Sequence, residues 1–220
     1  MLSDEVKHNI ATKYATTLPS NNTDIAAWYN QQGVDDYNIA MSTFNFNDPQ
    51  HIISKVTSKK IHGGLEIPTD GEILDVGCGP GALGKELKPK GYSNMDGVDA
   101  TDAFVTFAAN GGNYRKLQVV WLGCNKMPAE YNAKYDVVLG SGVYMKGHFP
   151  AAAFDDIYTA LKPGGFHVFG IREMYWTMGE EMGYRDKVQK MIDEGKWELV
   201  CTDAFWRGVD STDDKLYAKQ

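Results

Sequence analysis

The sequence of 220 residues has few cysteines, no basic excess and no long apolar run. Its three cysteines, Cys78, Cys124 and Cys201, are widely spaced; this indicates neither a disulfide framework nor a zinc site and is typical of a reducing compartment. A net charge of −7 argues against a nucleic-acid partner, because phosphate contacts need a basic face. No apolar run reaches the ~18 residues of a membrane span, and the first residues lack the layout of a secretory signal. These absences predict a cytoplasmic protein that binds neither membrane nor nucleic acid.

Residues 1–70 and 71–220 differ in pattern. The first segment carries helical signals only: Val6, Ile10 and Tyr14 share one helical face, and Asp48-Pro49 begins a helix that Gly63-Gly64 ends. The second alternates strands, glycine turns and helices, which predicts an α/β domain with a mostly parallel sheet covered on both faces. The predicted strands are 72–76, 94–98, 115–121, 135–140, 165–171, 197–205 and 214–218, and the predicted helices are 81–88, 101–109, 150–161 and 180–194.

A glycine-rich segment follows the first predicted strand. It reads Asp75-Val76-Gly77-Cys78-Gly79-Pro80-Gly81, and the next strand ends at Asp99. Glycines let the backbone turn sharply and approach a ligand closely, and an acidic residue at the end of the second strand accepts hydrogen bonds from ribose hydroxyls. The pattern therefore predicts a cofactor that contains adenosine. By itself the pattern does not show which adenosine cofactor binds, because residues 79–84 also satisfy the dinucleotide pattern G-x-G-x-x-G.

Ligands of such sheets bind at the carboxyl ends of the strands. The segments that follow the predicted strands should therefore line one mouth, with the N-terminal helices across it as a partial lid. These segments are Gly77–Gly81, Asp99–Thr101, Leu122–Cys124, Ser141–His148 and Arg172–Trp176.

Taken together, these motifs resemble class I S-adenosylmethionine (SAM) methyltransferases. The glycine segment, Gly97-Val98-Asp99, Tyr135–Leu139 and the turn Leu161–Gly165 fall in that family's order. Within it, the chain is most similar to the methyltransferase-like proteins named after the Williams-Beuren syndrome region, through segments such as Met127-Pro128 and Gly147–Pro150. The resemblance implies a Rossmann-like, seven-stranded fold, SAM as cofactor and S-adenosylhomocysteine (SAH) as product.

The same resemblance assigns the cofactor-binding residues. Gly77, Cys78, Gly79 and Gly81 would pass the methionine part of SAM; Asp75 would help to hold its amino group, with a helix cap as the alternative. Asp99 would accept the ribose hydroxyls. The remaining expected contacts are Ala100, Thr101, Leu122, Gly123, Ser141 and Tyr37. Cys78 and Cys124 are expected to be small buried residues.

The acceptor side carries a weaker signal, because methyl transfer needs orientation more than a fixed catalytic side chain. His148 is a candidate general base, or else a structural histidine, and Tyr144 is a second catalytic candidate. Arg172 would bind a carboxylate or phosphate, or else form a salt bridge. Trp176 and Trp28 would contact substrate, with core packing as the alternative.

The sequence thus predicts a SAM-dependent methyltransferase. Acidic charge and the lack of appended binding modules favour a small-molecule acceptor, although a protein acceptor stays open. Two other functions are considered: a SAM- or SAH-binding protein without catalysis, and an NAD-dependent oxidoreductase, for which Asp99 would serve equally well and Tyr158 and Lys162 have suitable spacing.

Overall fold

A computed structural model describes residues 2–58, 67–124, 127–206 and 217–219. Its central feature is a parallel sheet of five strands in the order β3-β2-β1-β4-β5. The strands are β1 (Ile73–Val76), β2 (Met95–Asp99), β3 (Lys116–Val119), β4 (Tyr135–Tyr144) and β5 (Leu161–Ile171). The α/β class predicted from the sequence is confirmed. The order reverses between β1 and β4, which is where ligands of such sheets bind.

Helices cover both faces of this sheet. The helices are α1 (Asp4–Thr17), α2 (Ile25–Gln32), α3 (Val34–Thr43), α4 (Asp48–Thr57), α5 (Ala82–Leu87), α6 (Asp102–Asn110), α7 (Ala153–Ala160), α8 (Glu173–Thr177) and α9 (Tyr184–Asp193). Alternate residues of a strand point to opposite faces. Accordingly, Val137 packs with α4 and α5, whereas its neighbour Val138 packs with α7 and α9. In the described residues, no helix is long and apolar enough to cross a membrane.

The prediction of a seven-stranded sheet is wrong for the described residues. β6 (Ala204–Trp206) pairs antiparallel with β7 (Tyr217–Lys219) in a separate small sheet, and residues 197–203 form no strand. Side-chain contacts give the reason: Phe205 stacks on His51 of α4 with ring centroids 3.8 Å apart, and Asp203 pairs with Lys55. The segment therefore packs beside α4 instead of extending the sheet.

The predicted N-terminal helices form, but they have two different positions. Helices α2 and α3 contact each other and α6, beside the carboxyl edge of the sheet, and α1 packs on α3. We call α1–α3 the lid. Helix α4 begins at Asp48 as predicted and packs on β4, β5 and α5. The helix ends at Thr57, where Ser58 takes an extended conformation, so the prediction that it continues to Gly63-Gly64 is wrong; these two glycines lie outside the described residues.

Candidate active site

Two adjoining cavities lie at the carboxyl edge of the sheet. The first cavity is lined by residues that include Tyr29, Asp99, Thr101, Leu122 and His148. The second is lined by residues that include Asp75, Cys78, Phe46 and Gln50. Both share Tyr37, Gly77, Gly79 and Ser141. Four of the five segments expected at this mouth contribute to it; residues 172–176 line neither cavity.

The glycine segment is a tight turn that is open on one side. Gly77, Gly79 and Gly81 have φ of +66°, +52° and +96°, a region that favours glycine. A Cβ at Gly77 would lie 2.4 Å from a methyl carbon of Val143, whereas one at Gly79 would meet nothing nearer than the Tyr37 hydroxyl at 4.0 Å. Gly77 is thus required by packing, and Gly79 leaves a cradle of exposed backbone at the junction of the cavities.

Asp99 is held at this cradle by backbone groups. One carboxylate oxygen accepts from the Gly79 N–H at 2.8 Å, and the other accepts from the Thr101 N–H at 2.8 Å. Burial raises the Asp99 pKa, and these hydrogen bonds oppose the rise. Asp99 also lines the first cavity, so a ligand bound there can meet its carboxylate.

Asp75 lies on the wall of the second cavity and is 1% exposed. Its Oδ2 accepts a hydrogen bond of 2.7 Å from the Tyr114 hydroxyl. The alternative role as a helix cap is wrong, because the Gly84 N–H in the first turn of α5 donates to the Tyr114 hydroxyl and not to Asp75. Burial raises the Asp75 pKa to about 7, against the lowering effect of the Tyr114 hydrogen bond. No sequence motif indicates Tyr114 as a site residue. Its ring packs against Gly84, where a larger residue would leave no space for it.

The loop after β3 is held by α7. Leu122 lines the first cavity, and the following Gly123 N–H donates to Asp156 Oδ2 at 2.6 Å. Gly123 has φ +82°, and a Cβ there would lie 2.3 Å from Pro150 Cγ. Asp156 therefore fixes the path of this loop, although no motif of the sequence points to this residue. Cys124, expected to be buried, is exposed because it lies in this surface turn; Cys78 is buried as expected.

Ser141 lies where the two cavities meet. Its Oγ is buried and has no hydrogen-bond partner among the described residues. A buried hydroxyl without a partner is unfavourable, so this oxygen is placed to bond a ligand.

His148 connects the lid to the loop after β4. Its Nε2 lies 2.9 Å from the Tyr29 hydroxyl and its Nδ1 lies 3.2 Å from the Lys146 carbonyl. A carbonyl only accepts, so we assign the ring proton to Nδ1, which makes Nε2 the acceptor from Tyr29. Burial lowers the His148 pKa to about 4, so the ring is neutral at pH 7.

The other predicted substrate-side residues lie away from both cavities. Tyr144 is 2% exposed and its hydroxyl lies 2.6 Å from His167 Nε2 in the core, because β4 continues through it. Trp176 packs on the same core, and Trp28 packs edge-on against Tyr14. Arg172 stacks over Tyr175 and forms no salt bridge with a described residue. These packing environments account for their absence from the cavity walls.

The groups present fit an adenosine cofactor with an amino-acid tail. Asp99 offers acceptors to a diol, Ser141 offers an unpartnered hydroxyl, and Gly79 leaves room for close approach. Asp75 adds a carboxyl group in the second cavity, where an ammonium group would neutralise it.

Comparisons with known proteins relate this chain to methyltransferases. A family described as "methyltransferase domain" matches residues 49–199. Methyltransferase-like protein 27 of Homo sapiens is 30% identical over 146 residues, which are 63% of this chain and 57% of that protein. The match thus spans little more than half of that relative's length.

Solved structures share the fold at low identity. A TehB-like SAM-dependent methyltransferase of Corynebacterium glutamicum superposes with a TM-score of 0.54 at 18% identity, covering 90% of this chain and 98% of that one. The [4+2]-cyclase SpnF also has a TM-score of 0.54, at 16% identity over 73% of this chain and 61% of that one. The fold alone therefore does not establish the reaction.

Proposed function

Because this chain belongs to the methyltransferase domain family, we propose that it transfers the methyl group of SAM to a small-molecule acceptor. The methyltransferase family predicted from the sequence is confirmed by this membership. SAM as cofactor is supported by the fold, which a SAM-dependent methyltransferase shares. The bound cofactor supplies an activated methyl group, while the protein orients the reactants and excludes water.

In this proposal the first cavity receives the adenosine half of SAM. Asp99 accepts from the ribose hydroxyls, Ala100 and Thr101 lie beside the nucleoside, and Leu122 contacts the adenine. The second cavity receives the methionine half, with Asp75 toward its ammonium group and Ser141 at the junction. These assignments are supported by the cavity walls and the hydrogen bonds described above.

The observation that favours a small acceptor is the cover over the first cavity. Tyr29 of the lid reaches His148 across the mouth at 2.9 Å, and Asn30 Oδ1 accepts from the Ala103 N–H of α6 at 3.0 Å. A mouth closed by such short contacts suits a molecule that is enclosed together with the cofactor better than a polymer. His148 is the candidate base, and it reaches an acceptor only when Tyr29 releases Nε2.

In the test, the protein is incubated with a cell extract and with SAM labelled on its methyl group. The reaction mixture is then separated by ultrafiltration. A labelled compound other than SAM in the low-molecular-weight fraction supports the proposal, and label that stays with protein or nucleic acid contradicts the acceptor class. SAM binding without any labelled product would favour a binding protein without catalysis. Asp99→Asn, which keeps the side-chain shape but lowers its acceptor capacity, is the matched control and should abolish most labelling.

A further inference from the structure

Tyr114 lies directly beneath the glycine segment, in a seat built from glycines. A Cβ added at Gly84 would lie 2.5 Å from its Cζ, one at Gly97 would lie 3.1 Å from its Cδ1, and one at Gly81 would lie 3.2 Å from its Cε2. Any larger residue at Gly84 would displace the ring. Three glycines, two at the start of α5 and one in β2, therefore leave space for this one side chain and fix where its hydroxyl lies.

The hydroxyl of Tyr114 has two partners. It donates to Asp75 Oδ2 at 2.7 Å and accepts from the Gly84 N–H at 3.1 Å. The accepted bond, from the first turn of α5, aligns the hydroxyl so that its proton points to the carboxyl group. Asp75 lines the second cavity, whereas Tyr114 lines neither cavity. Tyr114 therefore acts on this region only through Asp75 and α5.

We propose that Tyr114 is a positioning residue for cofactor binding, whose hydroxyl holds one oxygen of Asp75 and leaves the carboxylate directed to the ammonium group of the cofactor. The inference rests on the proposed binding of SAM in the two cavities. A residue outside the cavity walls thus strengthens the binding of the amino-acid half of the ligand and not of the nucleoside half.

Electrostatics explain why Asp75 needs this donor. The titratable groups that face it are Tyr114, Asp99 and Cys78. Burial and the nearby Asp99 both raise the Asp75 pKa, and only the Tyr114 hydrogen bond lowers it, with about 7 as the result. Without the hydroxyl the Asp75 pKa would rise further, so a larger fraction of the carboxyl group would be neutral at pH 7, and a neutral carboxyl group attracts an ammonium group weakly.

The test compares two ligands by calorimetry. SAH carries the amino-acid group, and 5′-methylthioadenosine has the same nucleoside and thioether without it. Tyr114→Phe should weaken SAH binding about tenfold, in line with the loss of a hydrogen bond to a charged group, and change methylthioadenosine binding less than twofold. Tyr92→Phe is the matched control, because it removes a buried hydroxyl bonded to the Val56 carbonyl, outside both cavities. It should change neither affinity.

Equal weakening of both ligands by Tyr114→Phe, or no change in SAH binding, would overturn the proposal. A second variant, Asp75→Asn, keeps the test independent of how Tyr114→Phe folds: it should show the same selective loss. In the Asp75→Asn protein, adding Tyr114→Phe should weaken SAH binding less than a further twofold. If the two losses of affinity multiply in the double variant, Tyr114 acts independently of Asp75. A wild-type protein that binds neither ligand would refute the proposed function itself.

Discussion

Helix propensity and the structure predict opposite effects of Gly84→Ala on the stability of the folded protein. Gly84 lies inside α5, where alanine is favoured over glycine by about 1 kcal/mol. The added methyl would lie 2.5, 2.6 and 2.9 Å from the Cζ, Cε2 and Oη atoms of Tyr114. Overpacking of this kind costs about 1–3 kcal/mol. The ring has no room to retreat, since the backbones of Gly81 and Gly97 lie close to it.

Displacing the ring also breaks its hydrogen bond with Asp75, which adds about 1 kcal/mol or more. We therefore expect Gly84→Ala to lower the free energy of unfolding by about 1–3 kcal/mol. With a urea m-value of about 2 kcal/mol/M, the midpoint should fall by roughly 0.5–1.5 M.

The control is Gly84→Ala in a protein that carries a smaller side chain at position 114. In a Tyr114→Leu background the clash is gone, so Gly84→Ala should be neutral or should stabilise the protein by up to about 1 kcal/mol. Urea denaturation of the four proteins gives the coupling between the two sites. A stabilised single variant, or an equal effect in both backgrounds, would refute the proposed seat for Tyr114.

Three further predictions concern the charge of Asp75, the lid and the loop after β3. Burial raises the Asp75 pKa from 3.8 to about 7, so the folded protein binds this proton more tightly than the unfolded chain and loses stability as pH rises from about 4 to 7. Urea titrations should show a weaker pH dependence in Asp75→Asn, and a steeper one would contradict the assignment. Tyr29→Phe removes the donor to His148, so limited proteolysis should cut the lid faster, whereas the same change at the exposed Tyr158 should have no effect. Asp156→Ala leaves the N–H of the loop after β3 without its acceptor; calorimetry should show SAH and methylthioadenosine weakened equally, since both carry adenine.

The elements that position the cofactor were predictable because their signals are local. Apolar runs ended by glycine turns marked β1, β2 and β4, and the parallel order followed from their alternation with helices. Asp99 and Gly79 were found for the same reason, since Asp99 ends β2 and Gly79 lies in the turn that follows β1. Their contact at 2.8 Å follows from the meeting of parallel strand ends at one edge.

The residues that were missed act over long distances in the sequence. Tyr114 bonds Asp75, 39 positions earlier, and Asp156 bonds a loop 33 positions earlier; neither has a local pattern that predicts its partner. Tyr144 was placed at the mouth because β4 was predicted to end at 140. The strand continues to Tyr144 with an irregular register, and this turns the side chain into the core.

Binding of SAM in the two cavities can be measured by a thermal-shift titration with SAM, SAH and NAD. A ligand at ~100 times its dissociation constant stabilises the folded state by about 2.7 kcal/mol, which for a chain of this size raises Tm by roughly 5–10 °C. We expect this rise with SAM or SAH and none with NAD, and its loss in Asp99→Ala, which removes the acceptor for the ribose hydroxyls. A rise with NAD alone, or a SAM response unchanged in Asp99→Ala, would contradict the account.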